Sequence, residues 1–298
     1  MRVLITGGTG QVGRRLSPAL AAAGHDVVVL TRDPSRQVIS LAPGVRAERW
    51  DARTAGDWGR LVDADTAIIN LAGENLMAGR WTAALKREVL DSRVNASRTV
   101  ADAIERAPAK PRVLLQASAI GVYGDRGDEE LTEDSPPGTG WMADVCRTWE
   151  AATDGVPLRR IVLRVGVVLD PAGGGLVELR RAARLRVARL GSGRQWVAWI
   201  GHADVVAAVT FLLDHASAEG PFNLVGPAPA RNAEMLAAVA QARGGGRPIL
   251  PVPTAVLRVT LGEKADAVLM SQRVLPRRLL ELGFAFRHPT LDAALRDA

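Results

Sequence analysis

The residues with the clearest chemical signature stand at the front of the chain. Thr6-Gly7-Gly8-Thr9-Gly10-Gln11-Val12-Gly13 spaces its glycines as Gly7-x-x-Gly10-x-x-Gly13, directly after the apolar run Val3-Leu4-Ile5. Glycine in that pattern lets a chain turn tightly, bring its backbone against a pyrophosphate, and pack the next helix close to the strand, whose helix-start N–H groups then face the anion. The chemistry indicated is recognition of a dinucleotide. A second candidate closes the next apolar run, Asp26–Thr31. An acidic residue there would accept the ribose 2′-hydroxyl of NAD, whereas this chain offers Arg32, with Arg36 close by, and a guanidinium suits a 2′-phosphate. NADP(H) is expected in preference to NAD(H), with Asp33 arguing the other way. Asp51 and the turn Leu71-Ala72-Gly73 are expected on the adenine and ribose side, Gly73 letting backbone approach the cofactor.

Proton chemistry has three candidates. Ser118, at the end of the run Arg112–Ala117, is placed to hydrogen-bond a substrate oxygen, or to form a turn. Tyr123 is the one tyrosine and either acts as an acid there or lines the site without titrating. Glu74 follows Ala72-Gly73 and reads equally as a base, an anchor for a hydroxyl, a cap, or a partner for Arg80. Gln195 and Trp199 are expected on the substrate side, where an indole supplies an apolar wall and an amide fixes orientation. Cys146 is the single cysteine, so an internal disulfide is excluded, and a buried helical thiol is the expectation. The four histidines are scattered without ligand spacing, so no metal is expected.

The elements that must position these groups alternate. After the first strand comes a helical pattern through Val12, Leu16 and Leu20, then strands over Asp26–Thr31, Val45–Trp50 and Thr66–Leu71. A long helix is expected over Trp81–Ala107, a fifth strand over Arg112–Ala117, and a sixth over Arg160–Leu169. Such alternation implies an α/β fold, a Rossmann-type doubly wound parallel sheet with right-handed crossovers. Gly173-Gly174-Gly175 marks a change of character, beyond which a smaller mixed C-terminal substrate domain is expected. Residues 1–169 would form the NADP-binding domain, its sheet completed by about 203–225 through a helix and the strand Phe222–Leu224. Residues 170–298 would supply the substrate side and a small C-terminal helical domain.

Composition narrows the partners. The chain of 298 residues suits one large domain or two smaller ones, and 47% hydrophobic residues suffice for an ordinary core. No run reaches the roughly 18 apolar residues of a membrane span, and the early strand leaves no room for a signal peptide, so a cytoplasmic protein is expected. The net charge of +6 rests on arginine. Arg180, Arg181, Arg184, Arg186 and Arg189 read as the solvated face of an amphipathic helix rather than a nucleic-acid surface, because no aromatic residues interleave them.

With these residues assembled, the chain resembles the extended short-chain dehydrogenases/reductases, and within them the atypical group called epimerase family proteins, related to NAD-dependent epimerase/dehydratases. The marks are TGGTGQVG at Thr6–Gly13, NLAGE at Asn70–Glu74, GRWT at Gly79–Thr82, SRVNASRT at Ser92–Thr99, SAIGVYGD at Ser118–Asp125, VCRTWE at Val145–Glu150, GSGRQWVAWI at Gly191–Ile200 and GPFNL at Gly220–Leu224. A tail with LGEKA at Leu261–Ala265, SQRVLP at Ser271–Pro276 and GFAFRHPTLDAAL at Gly283–Leu295 resembles the small C-terminal domain of unknown function in that group. Typical members use a Tyr-x-x-x-Lys pair, in which the lysine eases deprotonation of the phenol. This chain departs from that pattern: aligning the helix by Glu150 puts Met142 in the tyrosine's place and Cys146 in the lysine's. The serine spacing also slips, falling on Ala119, and His202 stands one position later than the histidine of relatives.

Two uses of the cofactor follow. One is an NADP-dependent oxidoreductase or epimerase acting on a small polar molecule, with proton transfer by a non-standard group. The other is an NADPH-binding redox sensor or regulatory protein without turnover. A monomer and a homodimer are both open.

Overall fold

Val3, Leu4 and Ile5 are completely buried, and they alternate between two cores because successive strand residues point to opposite faces of a sheet. The computed structural model describes residues 1–37, 41–246 and 248–298, and the side chain of Arg36 lies outside what is described. Seven parallel strands form the central sheet: β1 (Arg2–Thr6), β2 (Asp26–Thr31), β3 (Val45–Arg49), β4 (Thr66–Asn70), β5 (Val113–Ala119), β6 (Arg159–Val165) and β7 (Gly220–Leu224). Their spatial order is β7-β6-β5-β4-β1-β2-β3. The chain winds outward from β1 in one direction and then from β4 in the other. The order therefore reverses between β1 and β4, the place where such sheets open a crevice at their carboxyl ends.

Helices cover both faces. On one, α1 (Gly13–Ala22) lays Leu16 and Leu20 over Val3, Ile5 and Ile69, joined by Val205, Val209 and Leu212 of α5 (His202–Asp214). On the other, α2 (Ala83–Arg106) lays Ala96, Val100 and Ile104 over Leu4, Ile68 and Leu114. Thr82 caps α2 by accepting the Leu85 N–H, and Pro108 follows its end. Two shorter helices bear on the site, α3 (Trp141–Ala151) and α4 (Gly175–Arg184).

Two expectations need correction. The sixth strand does not run unbroken over Arg160–Leu169: β6 ends at Val165, and Val167–Leu169 pairs instead with Trp199–Gly201. Gly166 makes the break, since a Cβ there would stand 2.7 Å from the Ala198 carbonyl oxygen. The arginine cluster is not one helix face either. Arg180, Arg181 and Arg184 lie on α4, but Arg186 has φ +56° and Arg189 belongs to the strand Val187–Leu190. Among the described residues no helix is long and apolar enough to cross a membrane.

Candidate functional site

The glycine turn is built by steric exclusion. Gly7 has φ +64°, and a Cβ on it would lie 2.6 Å from the Leu71 carbonyl oxygen, so the turn after β1 touches the turn after β4 through bare backbone. A Cβ on Gly13 would meet the Gly7 oxygen and the Gly8 Cα at 2.4 Å, which is how tightly α1 is drawn onto the turn. Gly8 is equally closed, 2.7 Å from the Val29 side chain. The amides of Gln11 and Val12 donate to no acceptor among the described residues. They stand at the start of α1, beside the reversal between β1 and β4, and this is a cradle fit for a pyrophosphate.

Thr6 holds that cradle from beneath. Its hydroxyl donates to Asn70 Oδ1 at 2.5 Å and accepts the N–H groups of Leu71 and Ala72 at 3.1 and 3.2 Å. Asn70 continues the row, donating to Gln116 Oε1 at 2.8 Å and to Ser97 Oγ at 3.1 Å. Thr6, Asn70 and Gln116 are register partners on three adjacent strands, so one buried polar row fixes the ends of β1, β4 and β5. Thr6 thus acts on the turn rather than facing a ligand. The Gln11 side chain is also turned to structure, donating to the Gly173 carbonyl at 3.4 Å. Thr9 and Gly10 lie at the exposed rim of the turn.

At the other end of the crevice Arg32 is 79% exposed, its nearest carboxylate Glu74 Oε1 at 3.8 Å. Glu74 therefore partners Arg32 rather than Arg80. Its backbone is held as well, its N–H donating to Ser92 Oγ and its carbonyl accepting from Arg93 Nη1, each at 3.0 Å. Asp51 accepts the N–H groups of Arg53 and Thr54 at 2.8 Å and the Thr54 hydroxyl at 2.9 Å, and those bonds hold its carboxyl below the usual range. It shapes the turn after β3 with both oxygens engaged.

Ser118 and Tyr123 belong to one network. Ser118, Arg164 and Asn223 are register partners across β5, β6 and β7. Ser118 Oγ donates to Glu150 Oε1 at 2.6 Å, and Arg164 grips the same carboxylate with Nε and Nη2, both at 3.0 Å. Arg164 Nη1 donates to the Tyr123 hydroxyl at 3.0 Å, and that hydroxyl donates to Asn223 Oδ1 at 2.7 Å. Tyr123 is wholly buried, and burial pushes its phenol above the ordinary value despite Arg164. Ser118 commits its only O–H to the hydrogen bond with Glu150. Neither hydroxyl has a proton free for a substrate in this arrangement.

Cys146 packs against Gly121 among apolar side chains, and burial with the Glu150 charge pushes its thiol up to about 12. Gln195 is buried, its amide donating to the Leu190 carbonyl at 3.0 Å. Trp199 corrects the expectation of a substrate wall. It has no exposed surface, packs with Leu169, Leu176 and Met235, and donates its indole N–H to the Ala228 carbonyl at 2.9 Å, so it is core. Another indole pair, Trp81 and Trp141, packs edge to face at 4.7 Å with Lys86 over both. Lys86 pairs with Glu263, and Lys264 donates to the Met77 carbonyl at 2.8 Å, so the LGEKA segment closes over the turn after β4. Among the described residues no group of His, Cys, Asp and Glu could hold a metal.

Sequence reasoning missed Glu150, Arg164 and Asn223 as a unit and gave Arg93 no role. Arg93, Glu150 and Asn223 each stand inside a family motif, but no spacing links them.

Comparison with known proteins agrees with this geometry. Residues 3–147 match the profile of the NAD dependent epimerase/dehydratase family, and residues 252–298 match a domain of unknown function, DUF1731. The Mycobacterium bovis epimerase family protein Mb2239 is 37% identical over 98% of this chain and 96% of its own length. The human epimerase family protein SDR39U1 is 34% identical over 100% of this chain and 99% of its own. A crystal structure of the human protein (isoform 2) with NADPH superposes with a TM-score of 0.87 at 33% identity, covering 100% of this chain and 98% of that one. UDP-glucuronic acid 4-epimerase from Bacillus cereus, solved with NAD, shares the fold at a TM-score of 0.78 and 14% identity, covering 99% of this chain and 96% of that one. A Rossmann-like sheet, a glycine cradle and a full-length match at this level lead to one conclusion: the chain belongs to the epimerase family, an NAD-dependent epimerase/dehydratase domain followed by a DUF1731 domain.

Proposed function

We propose that this protein binds NADP(H) across the carboxyl ends of β1, β2, β4 and β5 and retains it without turnover, as a redox sensor or regulatory protein. The observation that carries the cofactor is the cradle between Gly7 and Gly13, where Gly7, Gly8 and Gly13 leave no room for a Cβ and the amide N–H groups of Gln11 and Val12 remain open. Arg32 would receive the 2′-phosphate, an exposed guanidinium whose one carboxylate neighbour stands off at 3.8 Å. The NADPH named with the human relative supports the same choice. When bound, the dinucleotide supplies a hydride donor or acceptor. The chain's own part is to orient it, with Leu71, Ala72 and Gly73 presenting backbone to its ribose side.

The commitment of the two hydroxyls and the thiol to structure argues for retention rather than turnover. Ser118 donates to Glu150, Tyr123 donates to Asn223, and Cys146 is held as a thiol. General acid–base help is worth about 10²–10⁴-fold in rate, and none of these groups offers it. The second reading, an oxidoreductase or epimerase on a small polar substrate, is favoured by the family and by the partly exposed carboxylate of Glu74, which follows the turn Leu71-Ala72-Gly73.

Titration of tryptophan fluorescence with NADPH and NADH tests the cofactor. NADPH is expected to bind more tightly; equal affinities discard the role of Arg32, and no binding discards the whole reading. A panel of aldehydes, ketones and nucleotide sugars followed at 340 nm separates the two uses. Steady NADPH consumption with any of them rejects retention in favour of the enzyme.

A further inference from the structure

Arg93, midway along α2, holds a cation that makes no ion pair among the described residues, the Glu74 charge acting on it only from a distance. Its side chain lies flat on Gly73, so that a Cβ there would stand 3.1 Å from Cγ and Cζ of the arginine. Nη1 donates to the carbonyls of Glu74 and Val89 at 3.0 Å, and Cζ stands 4.9 Å from the centre of the Trp149 ring. Among the described residues no carboxylate comes within 4.0 Å of this guanidinium; that of Glu74 points to Arg32. Nε and Nη2 donate to nothing else among them. A half-buried cation in that state is costly, and the cost falls when a ligand supplies electron-rich partners. Arginine keeps its charge throughout the working pH range, although burial lowers its affinity for the proton.

The location gives the charge a meaning. The positive charge of Arg93 is felt at Cys146, which takes the lysine's place when the helix is aligned by Glu150 with typical short-chain dehydrogenases/reductases, beside Gly121 in the turn after β5. With the pyrophosphate at the β1 turn and the 2′-phosphate at the end of β2, the nicotinamide half of a dinucleotide runs toward β4 and β5, the Arg93 side. We propose that Arg93 is a positioning residue for that half: it replaces the missing ammonium with a fixed guanidinium delivered from α2 instead of α3, and it favours the reduced, uncharged dihydronicotinamide over the oxidised, cationic ring. Like charges in a partly desolvated crevice repel, so the preference follows from Coulomb's law. The inference rests on the NADP(H) reading and adds to it which redox state the site retains.

The test is equilibrium titration of the full chain with NADPH, NADP⁺ and adenosine 2′,5′-bisphosphate, which lacks the nicotinamide half. Wild-type protein is expected to bind NADPH roughly tenfold or more tightly than NADP⁺, the scale of one unit charge at close range in a screened site. Arg93→Met should collapse that ratio toward one while leaving the bisphosphate affinity within about twofold. Arg93→Lys, which keeps the charge, should restore the ratio. A merely structural clamp would move the melting temperature and all three affinities together, leaving the ratio intact, and that overturns the proposal. So does equal binding of NADPH and NADP⁺ by the wild type, an outcome that needs no variant to fold. Wild-type protein that binds the bisphosphate and NADPH but shows no redox preference refutes Arg93 alone. Failure to bind any of the three refutes the cofactor reading beneath it.

Discussion

Tyr123 illustrates how a residue type can suggest chemistry that its surroundings withdraw. A phenol at the carboxyl end of β5 reads as an acid, yet its proton is committed to Asn223 and its lone pair to Arg164, and burial makes ionisation harder still. Tyr123→Phe leaves Asn223 Oδ1 and one Arg164 N–H without a buried partner, so a loss of about 1–3 kcal/mol in urea denaturation is expected, with NADPH affinity unchanged. A variant of undiminished stability whose turnover fell instead would return Tyr123 to the proton path. Cys146 is a parallel case. With its thiol pushed up to about 12, iodoacetamide at pH 8 should label it only once the chain is unfolded, and rapid labelling of the folded protein would contradict the burial. Identity and approximate place of these residues were legible in the sequence. Their partners were not, because Glu150, Arg164 and Asn223 come together only through the lateral register of β5, β6 and β7.

The strands of the central sheet were legible for a physical reason: a parallel sheet buried on both faces writes itself as continuous apolar runs, as in Val3-Leu4-Ile5 and Asp26–Thr31. The two-residue strands beyond Gly166 carry no such run. Trp196–Val197 and Ala230–Arg231, for instance, are two residues each and exist only because distant backbone meets them. The glycine turn lies between these cases, since its pattern was visible but which glycine matters most was not. Gly13 and Gly10 separate on inspection: a Cβ on Gly13 runs into backbone at 2.4 Å, whereas one on Gly10 meets only the Gly7 oxygen at 3.1 Å. Gly13→Ala should therefore cost about 1–3 kcal/mol by overpacking and lift α1 away from the turn, while Gly10→Ala should cost less. Thermal denaturation with and without NADPH checks this. The Gly13 variant should show the lower melting temperature and lose most of the cofactor-induced rise, and equal behaviour of the two variants would remove the close helix approach as the reason for glycine.

At the scale of the whole molecule, one of the ties between α1 and the chain beyond β6 is a buried carboxylate. Asp170, with no exposed surface, accepts Arg14 Nη2 at 3.0 Å and Arg15 Nη2 at 2.9 Å, both from the first turn of α1, and the Ala172 N–H at 2.9 Å. Burial alone would raise its pKa, but the Ala172 amide and the two guanidinia outweigh that and hold the carboxyl below the ordinary value. A depressed folded-state pKa means that the unfolded chain takes up the proton first as pH falls. The stabilisation is thus fully present above the unfolded carboxylate value and disappears as pH drops through the lower, folded one. Asp170→Asn should cost about 1–3 kcal/mol at pH 7, because two guanidinia lose their carboxylate and face a neutral amide instead. The difference from wild type should shrink below about pH 4, where the carboxyl of the unfolded chain takes up its proton, and be gone only once pH has dropped below the lower native value. Urea denaturation of both proteins from pH 7 to pH 3 measures this, and a gap that stays constant across the range would show that Asp170 holds α1 by shape and not by charge.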